Sequence, residues 1–205
     1  MQTKKAAIRA TIDAAALRMF AAGDFSRTGM SDIARAAGIS VGNIYHYYGS
    51  KKELFYHLIP RPLVDKARRL LVEKVRSAHG LSIARAGHTE AIIARQEEFL
   101  TFLAENRLQM LIAFRHAEGT EYEGLGGETL ALIERLVFDY LRSRRAGPTS
   151  ALGRQKRQII RVVYARLIEG TLDILEWNTS KQAIKTAFEE YLAYHFAGLA
   201  MLLEG

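Results

Sequence analysis

The sequence contains no cysteine, only three prolines and one tryptophan among its 205 residues, and no apolar run long enough to cross a membrane. Without cysteine the chain forms no disulfide and uses no thiolate, which fits a cytoplasmic protein. Residues 1–8 lack the apolar segment of a signal peptide. These absences exclude disulfide-stabilised and membrane-spanning proteins from the expected classes.

Proline is confined to Pro60, Pro62 and Pro148, so long stretches of the chain contain no residue that breaks a helix. Those stretches are rich in Ala, Leu, Arg and Glu, and no alternating strand pattern interrupts them. The pattern predicts an all-α fold of about nine or ten helices. Because Pro60 and Pro62 end or bend a helix, we expect two domains, residues 1–58 and 59–205.

Positive charge is concentrated near the N-terminus. Residues 1–57 carry eight Lys or Arg and four acidic residues, whereas the other 148 residues carry 21 basic and 18 acidic side chains. The first segment therefore contributes +4 of the formal net charge of +7. This excess favours a polyanionic partner at that end, and a merely basic surface is the alternative.

Turn and capping signals divide the segment after residue 28 into short helices. Gly29 can cap a first one, and Gly38 ends it at a position suited to left-handed backbone. Ser40 caps a second helix, and Ser50 with Glu53 forms a capping box that starts a third. Two short helices joined by such a tight turn are typical of a helix-turn-helix.

A small apolar core is expected to hold these two helices together. Ala34 and Ala37 allow the helices to approach closely. The expected core consists of Ile33, Ala34, Ala37, Ile39 and Ile44. The outer side and leading end of the second helix are then free to enter a major groove.

Residues 33–54 resemble the tetracycline-repressor (TetR) family of bacterial regulators. They satisfy nearly every fixed position of the family pattern I-A-x-x-A-G-[VI]-S-x-G-x-[IL]-Y-x-[HY]-[FY]-x-[SN]-K-x-x-L. Residues 12–20 also resemble the first helix of the family. The resemblance covers about fifty residues, and a motif of that length is highly specific. Residues 60–205 resemble the family only in being helical.

The resemblance implies DNA contacts around the second short helix. Tyr45, Tyr47 and Lys51 are expected to contact phosphates and to set the docking register. Ser40 belongs to the same interface, and Tyr48 is expected to fill the small core. The candidates for groove contact are Val41, Gly42, Asn43 and His46. A core role for Tyr45 and a solvated role for His46 are the alternatives.

One departure from the family pattern concerns the start of the first short helix. The family usually has Thr or Ser where Gly29 stands, so a hydroxyl that could cap this helix and touch phosphate is missing. Thr28 or Ser31 is the expected substitute. Both residues are therefore counted among the predicted DNA contacts.

The last two predicted helices, 151–177 and 180–203, are apolar around more than one face. A helix that packs only on its own core needs one apolar stripe, so the wider pattern indicates a second burial surface. A two-fold four-helix interface is the simplest form, and TetR relatives pair through their last two helices. Internal burial in a thick bundle is the alternative. The predicted dimer contacts are Ile160, Val163, Leu167, Leu192, Phe196 and Leu199.

The middle helices are expected to enclose a pocket for a partly apolar small molecule. The candidate lining residues are Phe102, Met110, Phe114, His116, Tyr122 and Trp177. The alternative is that the large apolar residues among them only form core. No cofactor is expected, and the six histidines show no metal-ligand spacing.

Together these patterns predict a TetR-type transcriptional regulator: a ligand-responsive repressor that binds a palindromic operator on double-stranded DNA as a homodimer. Residues 1–58 would form the helix-turn-helix DNA-binding domain, and residues 59–205 the helical ligand-sensing and dimerisation domain. A nucleoid-associated or division factor without a sensor is one alternative. A helical enzyme is disfavoured, because no hydrolase, metalloprotease, P-loop or dinucleotide motif occurs in the sequence.

Overall fold

The computed structural model describes residues 2–77, 90–143 and 153–204, and these ranges are helical without any strand, as predicted. Within these ranges, no helix has both the length and the apolar composition that a membrane-spanning segment requires. The ten helices of the described ranges are α1 (Gln2–Gly23), α2 (Met30–Ala36), α3 (Val41–Tyr47), α4 (Lys51–Leu58), α5 (Arg61–Ser77), α6 (Glu90–Glu105), α7 (Arg107–Arg115), α8 (Leu125–Ser143), α9 (Arg154–Trp177) and α10 (Lys181–Glu204).

The chain folds into two compact units that are not two consecutive halves. The first unit combines Met1–Asp65 with Arg107–Leu125, and the second combines Lys66–Asn106 with Gly126–Gly205. The domain division expected from the prolines cuts the chain once, near residue 58. In the structure, α7 and the turns after it belong to the first unit, because Tyr122 is buried in the core of that unit.

The first unit is built on the apolar stripe of α1. Ile12, Ala15 and Ala16 are fully buried on this stripe, and α2, α4 and α7 pack against α1. The rings of Phe20, Phe25 and Phe55 meet in the same core, with centroids 4.9 to 5.8 Å apart. These three rings form the centre of the core, and their burial stabilises the first unit.

The start of α4 shows how its capping box closes. The Ser50 hydroxyl accepts a hydrogen bond from the Glu53 amide at 3.1 Å, as predicted. The Glu53 carboxylate reaches back one residue further than expected, and it accepts from the Gly49 amide at 2.9 Å. Both bonds satisfy amides that the first turn of a helix leaves without partners.

The second unit packs α8, α9 and α10 around a separate core. Tyr164 and Leu199 are buried there with residues of α8. The Tyr191 hydroxyl donates to the Arg166 carbonyl at 2.7 Å, so a side chain of α10 bonds directly to the backbone of α9. Gly170 makes this possible, since a Cβ at that position would lie only 2.4 Å from the Tyr191 oxygen.

Candidate nucleic-acid interface

The turn between α2 and α3 has the backbone that the sequence predicts. Gly38 has a φ of +67°, in the left-handed region that favours glycine. The Ile39 amide then bonds back to the Ala34 carbonyl at 3.0 Å, which closes the end of α2. Ile33 and Ile44 are fully buried between the two helices. The helix-turn-helix core expected from the sequence is therefore confirmed.

The outer face of α3, which we define as Val41, Gly42, Tyr45 and His46, is exposed. Val41 is 41% and Tyr45 is 51% exposed, whereas Ile44 on the opposite side is fully buried. A Cβ at Gly42 would meet no protein atom within 4 Å. The helix is thus anchored on one side and open to a partner on the other.

The other residues predicted at α3 are the exposed Ser40 and the less exposed Asn43 and Tyr47. The Ser40 hydroxyl accepts from the Asn43 amide at 3.2 Å and so caps the helix as predicted. Asn43 and Tyr47 are half-buried, and the Tyr47 ring meets the His46 ring edge-on with centroids 6.3 Å apart. The structure therefore brings the predicted groove residues together at one helix, with Tyr47 beside them.

Tyr48 lies in the core, as expected, and its hydroxyl belongs to a polar network that sequence patterns did not reveal. The hydroxyl donates a short hydrogen bond to the Asp13 carboxylate and accepts from Arg9 Nε at 3.0 Å. Asp13 also lies 3.4 Å from His57 Nε2. Burial, followed by the bond to Asp13, raises the pKa of Tyr48 to about 12. This network ties α1 to the end of α3 and to α4.

Lys51 has a different role from the predicted phosphate contact. Its Nζ donates to the Phe25 carbonyl at 2.7 Å and to the Thr28 carbonyl at 3.0 Å, with the Ser26 carbonyl at 3.5 Å. The ammonium also stands 4.4 Å from the centre of the Phe25 ring. Burial lowers the pKa of Lys51. The structure therefore corrects this assignment, because the donors of Lys51 are committed to the loop before α2.

Thr28 is a second correction at the same loop. It is only 4% exposed, and its hydroxyl donates to the Asp24 carbonyl at 2.8 Å, so it offers no group to DNA. Ser31 is exposed, as its predicted role requires. No side chain caps α2 at Gly29, and the Asp32 carboxylate supplies only the return bond of a capping box, accepting from the Gly29 amide at 3.2 Å.

Two of the predicted ligand residues hold the first unit together. His116 Nδ1 lies 2.8 Å from the Asp24 carboxylate, and the His116 carbonyl accepts from the Phe25 amide at 2.9 Å. The buried Tyr122 hydroxyl donates to the Ile59 carbonyl at 2.9 Å, and burial raises the pKa of Tyr122 to about 12. These polar groups already have partners within the fold, so their predicted ligand role is not supported.

The other predicted lining residues are divided between the two units. Met110 is buried and Phe114 is half-buried, both in the first unit. Phe102 is buried in the second unit, with Lys66 Nζ 5.3 Å from its ring centre. Trp177 is 76% exposed at the end of α9, so its prediction as a cavity residue is wrong.

The predicted dimer contacts are also corrected in part. Ile160, Leu192 and Leu199 are buried inside their own chain, so they have no surface to offer to a second copy. Val163, Leu167 and Phe196 are half-buried and pack against the core of the second unit. The large apolar residues that α9 and α10 do leave exposed, apart from Trp177, are Ile159, Val162, Tyr194 and Met201.

In the described ranges, no three or more His, Asp or Glu side chains are grouped so that they could hold a metal ion.

Comparison with protein families bears on the helix-turn-helix directly. Residues 12–58 match the model of the family described as bacterial regulatory proteins, tetR family. The matched residues run from within α1 to the end of α4, so the similarity to this family covers the helix-turn-helix and the helices beside it.

Other comparisons add little to this similarity. A search of curated proteins finds no significant match. Among solved structures, one from Vibrio parahaemolyticus, described as a transcriptional regulator TetR family protein, is 18% identical and covers 93% of this chain and 97% of its own. Its TM-score of 0.34 is too low to support an argument about the arrangement of the helices.

Proposed function

We propose that this chain is a tetR-family transcription regulator, a ligand-responsive repressor that binds a palindromic operator as a homodimer. The outer face of α3 is the observation that carries the proposal. Its residues are exposed while Ile44 anchors the helix from below and Ser40 caps its start. A short helix that is fixed on one side and open on the other fits a major groove.

Individual residues suit different parts of a DNA site. Asn43 can form paired hydrogen bonds with adenine, and Val41 can pack against a thymine methyl group. The exposed Tyr45 can donate its hydroxyl to a phosphate. Because Lys51 is committed to the fold, the exposed Lys52 beside it is the better candidate for the phosphate contact.

Dimerisation would account for the apolar side chains that α9 and α10 leave exposed. Val162 is 59%, Tyr194 76% and Met201 81% exposed. A second copy of the chain, related by a two-fold axis, would cover such residues from both protomers. The same axis would present two α3 helices to the two halves of a palindromic operator.

Fluorescence anisotropy with a duplex selected from a random library tests the DNA-binding part. We expect the protein to prefer the selected duplex to random competitor by about a thousandfold or more at physiological salt. Gly42→Ala should weaken this binding without unfolding α3, because the added methyl group occupies groove space. A protein that does not distinguish any duplex from random competitor contradicts the proposal.

Two further variants separate base contacts from phosphate contacts. Asn43→Ala should mainly relax base preference at one position of each half-site, at a cost of about 1–3 kcal/mol. Lys52→Ala should weaken binding to all sequences alike and reduce the salt slope by about one. If Asn43→Ala weakens binding to every DNA sequence equally, Asn43 does not contact a base.

A further inference from the structure

Lys74 on α5 is a cation in an aromatic environment within the second unit. Its Nζ lies 5.5 Å from the centre of the Phe99 ring and 5.2 Å from that of Phe188. Two other lysines of this unit have acidic partners, since Lys185 lies 2.6 Å from Glu97 and Lys181 pairs with Glu105. Over the described part of the chain, no ion pair joins Lys74 to a carboxylate. Burial lowers the pKa of Lys74 to about 8.

His195 on α10 supplies a polar atom without a partner in the same unit. The residue is 6% exposed, and its Nε2 has no hydrogen-bond partner within the described ranges. The rings of Tyr164 and Phe196 flank the imidazole, with centroids 5.1 and 5.6 Å away. Buried polar atoms normally have a partner, so the Nε2 of His195 has hydrogen-bonding capacity that a bound group can use.

Lys74 and His195 border the same core of the second unit. Leu71, three residues before Lys74 on α5, packs against the cluster that contains Tyr164 and Phe196, the two ring neighbours of His195. Burial lowers the pKa of His195 to about 4, with the positive charge of Lys74 as the second cause. Phe188, which Lys74 contacts, lies seven residues before His195 and therefore on the same side of α10. Among the described residues, a cation without an acidic partner and an imidazole nitrogen without a hydrogen-bond partner thus each lie beside aromatic rings.

We propose that Lys74 and His195 form the polar end of a ligand site in the second unit, which binds a small apolar carboxylic acid as its anion. A carboxylate has two oxygens, one for the ammonium and one for an imidazole Nε2–H. The rings of Phe99, Phe188 and Tyr164 match an apolar body. A single negative charge balances the single lysine, whereas a dianionic phosphate would leave one charge without a partner in apolar surroundings.

Calorimetric titration of the full-length protein at pH 7 tests this site. The probes are octanoate, dodecanoate and 2-naphthoate, each paired with its primary amide, which keeps the apolar body and removes the charge. We expect at least one acid to bind about tenfold or more tightly than its amide. Failure of all three acids to bind, or equal affinity of each acid and its amide, overturns the proposal.

Matched variants assign the preference to Lys74. Lys74→Met should reduce the ratio of acid to amide affinity to about twofold or less, because the charge is lost while the unbranched stem is kept. Lys66→Met is the control, since Lys66 is an exposed lysine of the same helix that also stands over an aromatic ring. His195→Leu should weaken binding of the acid. A Lys74→Met protein that melts no lower than wild type and still prefers the acid contradicts the assignment.

This site rests on the proposed ligand response, and two measurements keep them apart. Operator affinity is measured with and without the acid that binds most tightly. Acid binding that leaves operator affinity unchanged supports the site and contradicts the ligand response. Operator binding by a protein that binds no acid contradicts the site and leaves the DNA-binding function in place.

Discussion

Lys51 and Lys52 are adjacent in the sequence but have different surroundings. Lys51 Nζ donates to carbonyls of the loop before α2, whereas Lys52 is exposed. The family resemblance assigned the phosphate contact to Lys51 from its position in the motif. Motif position does not show where a side chain finds its partners, and here the partners of Lys51 Nζ are carbonyls of the loop.

Lys51→Met should lower the free energy of unfolding by about 2 kcal/mol, because buried carbonyls lose a charged donor. Urea denaturation followed by circular dichroism measures this loss. Lys52→Met is the matched control and should change stability by less than about 0.5 kcal/mol. If the two variants are equally stable, the hydrogen bonds of Lys51 do not stabilise the loop.

The imidazole of His195 makes stability depend on pH in a defined direction. Burial, with the charge of Lys74 as a second cause, lowers the pKa of His195 from 6.5 to about 4. Below pH 6.5 the unfolded chain binds a proton at His195, whereas the folded chain binds it only near pH 4. The free energy of unfolding therefore falls as the pH is lowered from 6.5 to about 4. Above pH 6.5 the effect is absent.

Wild type should lose on the order of 3 kcal/mol more than His195→Leu between pH 6.5 and 4. Urea unfolding of both proteins at several pH values in that window gives the difference. The leucine variant removes the imidazole from surroundings that include Tyr164 and Phe196. Parallel pH profiles for the two proteins would show that the imidazole is not held neutral by the fold.

At the scale of elements, the α2–α3 pair was predictable because its signals are local. Gly38, Ser40 and Ser50 act on amides or carbonyls within a few residues, and each has the predicted role in the structure. The place of α7 was not predictable from such signals. Its partners, such as Asp24 for His116 and Ile59 for Tyr122, are distant in the sequence, and no spacing rule connects them.

Gly38→Ala should destabilise the protein by about 1–2 kcal/mol, because the left-handed backbone at φ +67° disfavours a Cβ. Thermal unfolding monitored by circular dichroism measures the effect. Gly42→Ala is the contrasting variant, since Gly42 lies within α3 in open space and alanine favours helix by up to about 1 kcal/mol. Equal stability of Gly38→Ala and wild type would show that the turn can adopt another backbone.

At the scale of the whole molecule, the apolar excess of α9 and α10 pointed to a second burial surface, but it did not identify the residues. Ile160 and Leu192 are used inside the chain, whereas Ile159 and Val162 are exposed. Neighbouring residues on a helix face different directions. Only the packing of the second unit decides which apolar stripe of each helix is buried in the core of that unit.

Val162→Asp should convert a dimer into a monomer, because each copy would place an unpaired charge in an apolar interface. Size-exclusion chromatography with light scattering should then give 23.0 kDa for the variant and twice that mass for wild type. Ile93→Asp on α6 is the control, since Ile93 is an equally exposed apolar residue outside α9 and α10, and it should leave the mass unchanged. A wild-type protein of 23.0 kDa would contradict the dimer.

The sequence by itself determined the helical class, the helix-turn-helix and the outer face of α3. These depend on periodicity, capping and turn residues that act over a few positions of the chain. The tertiary structure alone decided that Lys51 and Thr28 serve the fold, that residues 107–125 belong to the first unit, and that Lys74 and His195 each lie beside aromatic rings. Those outcomes depend on contacts between distant segments, and such contacts exist only once the helices have packed.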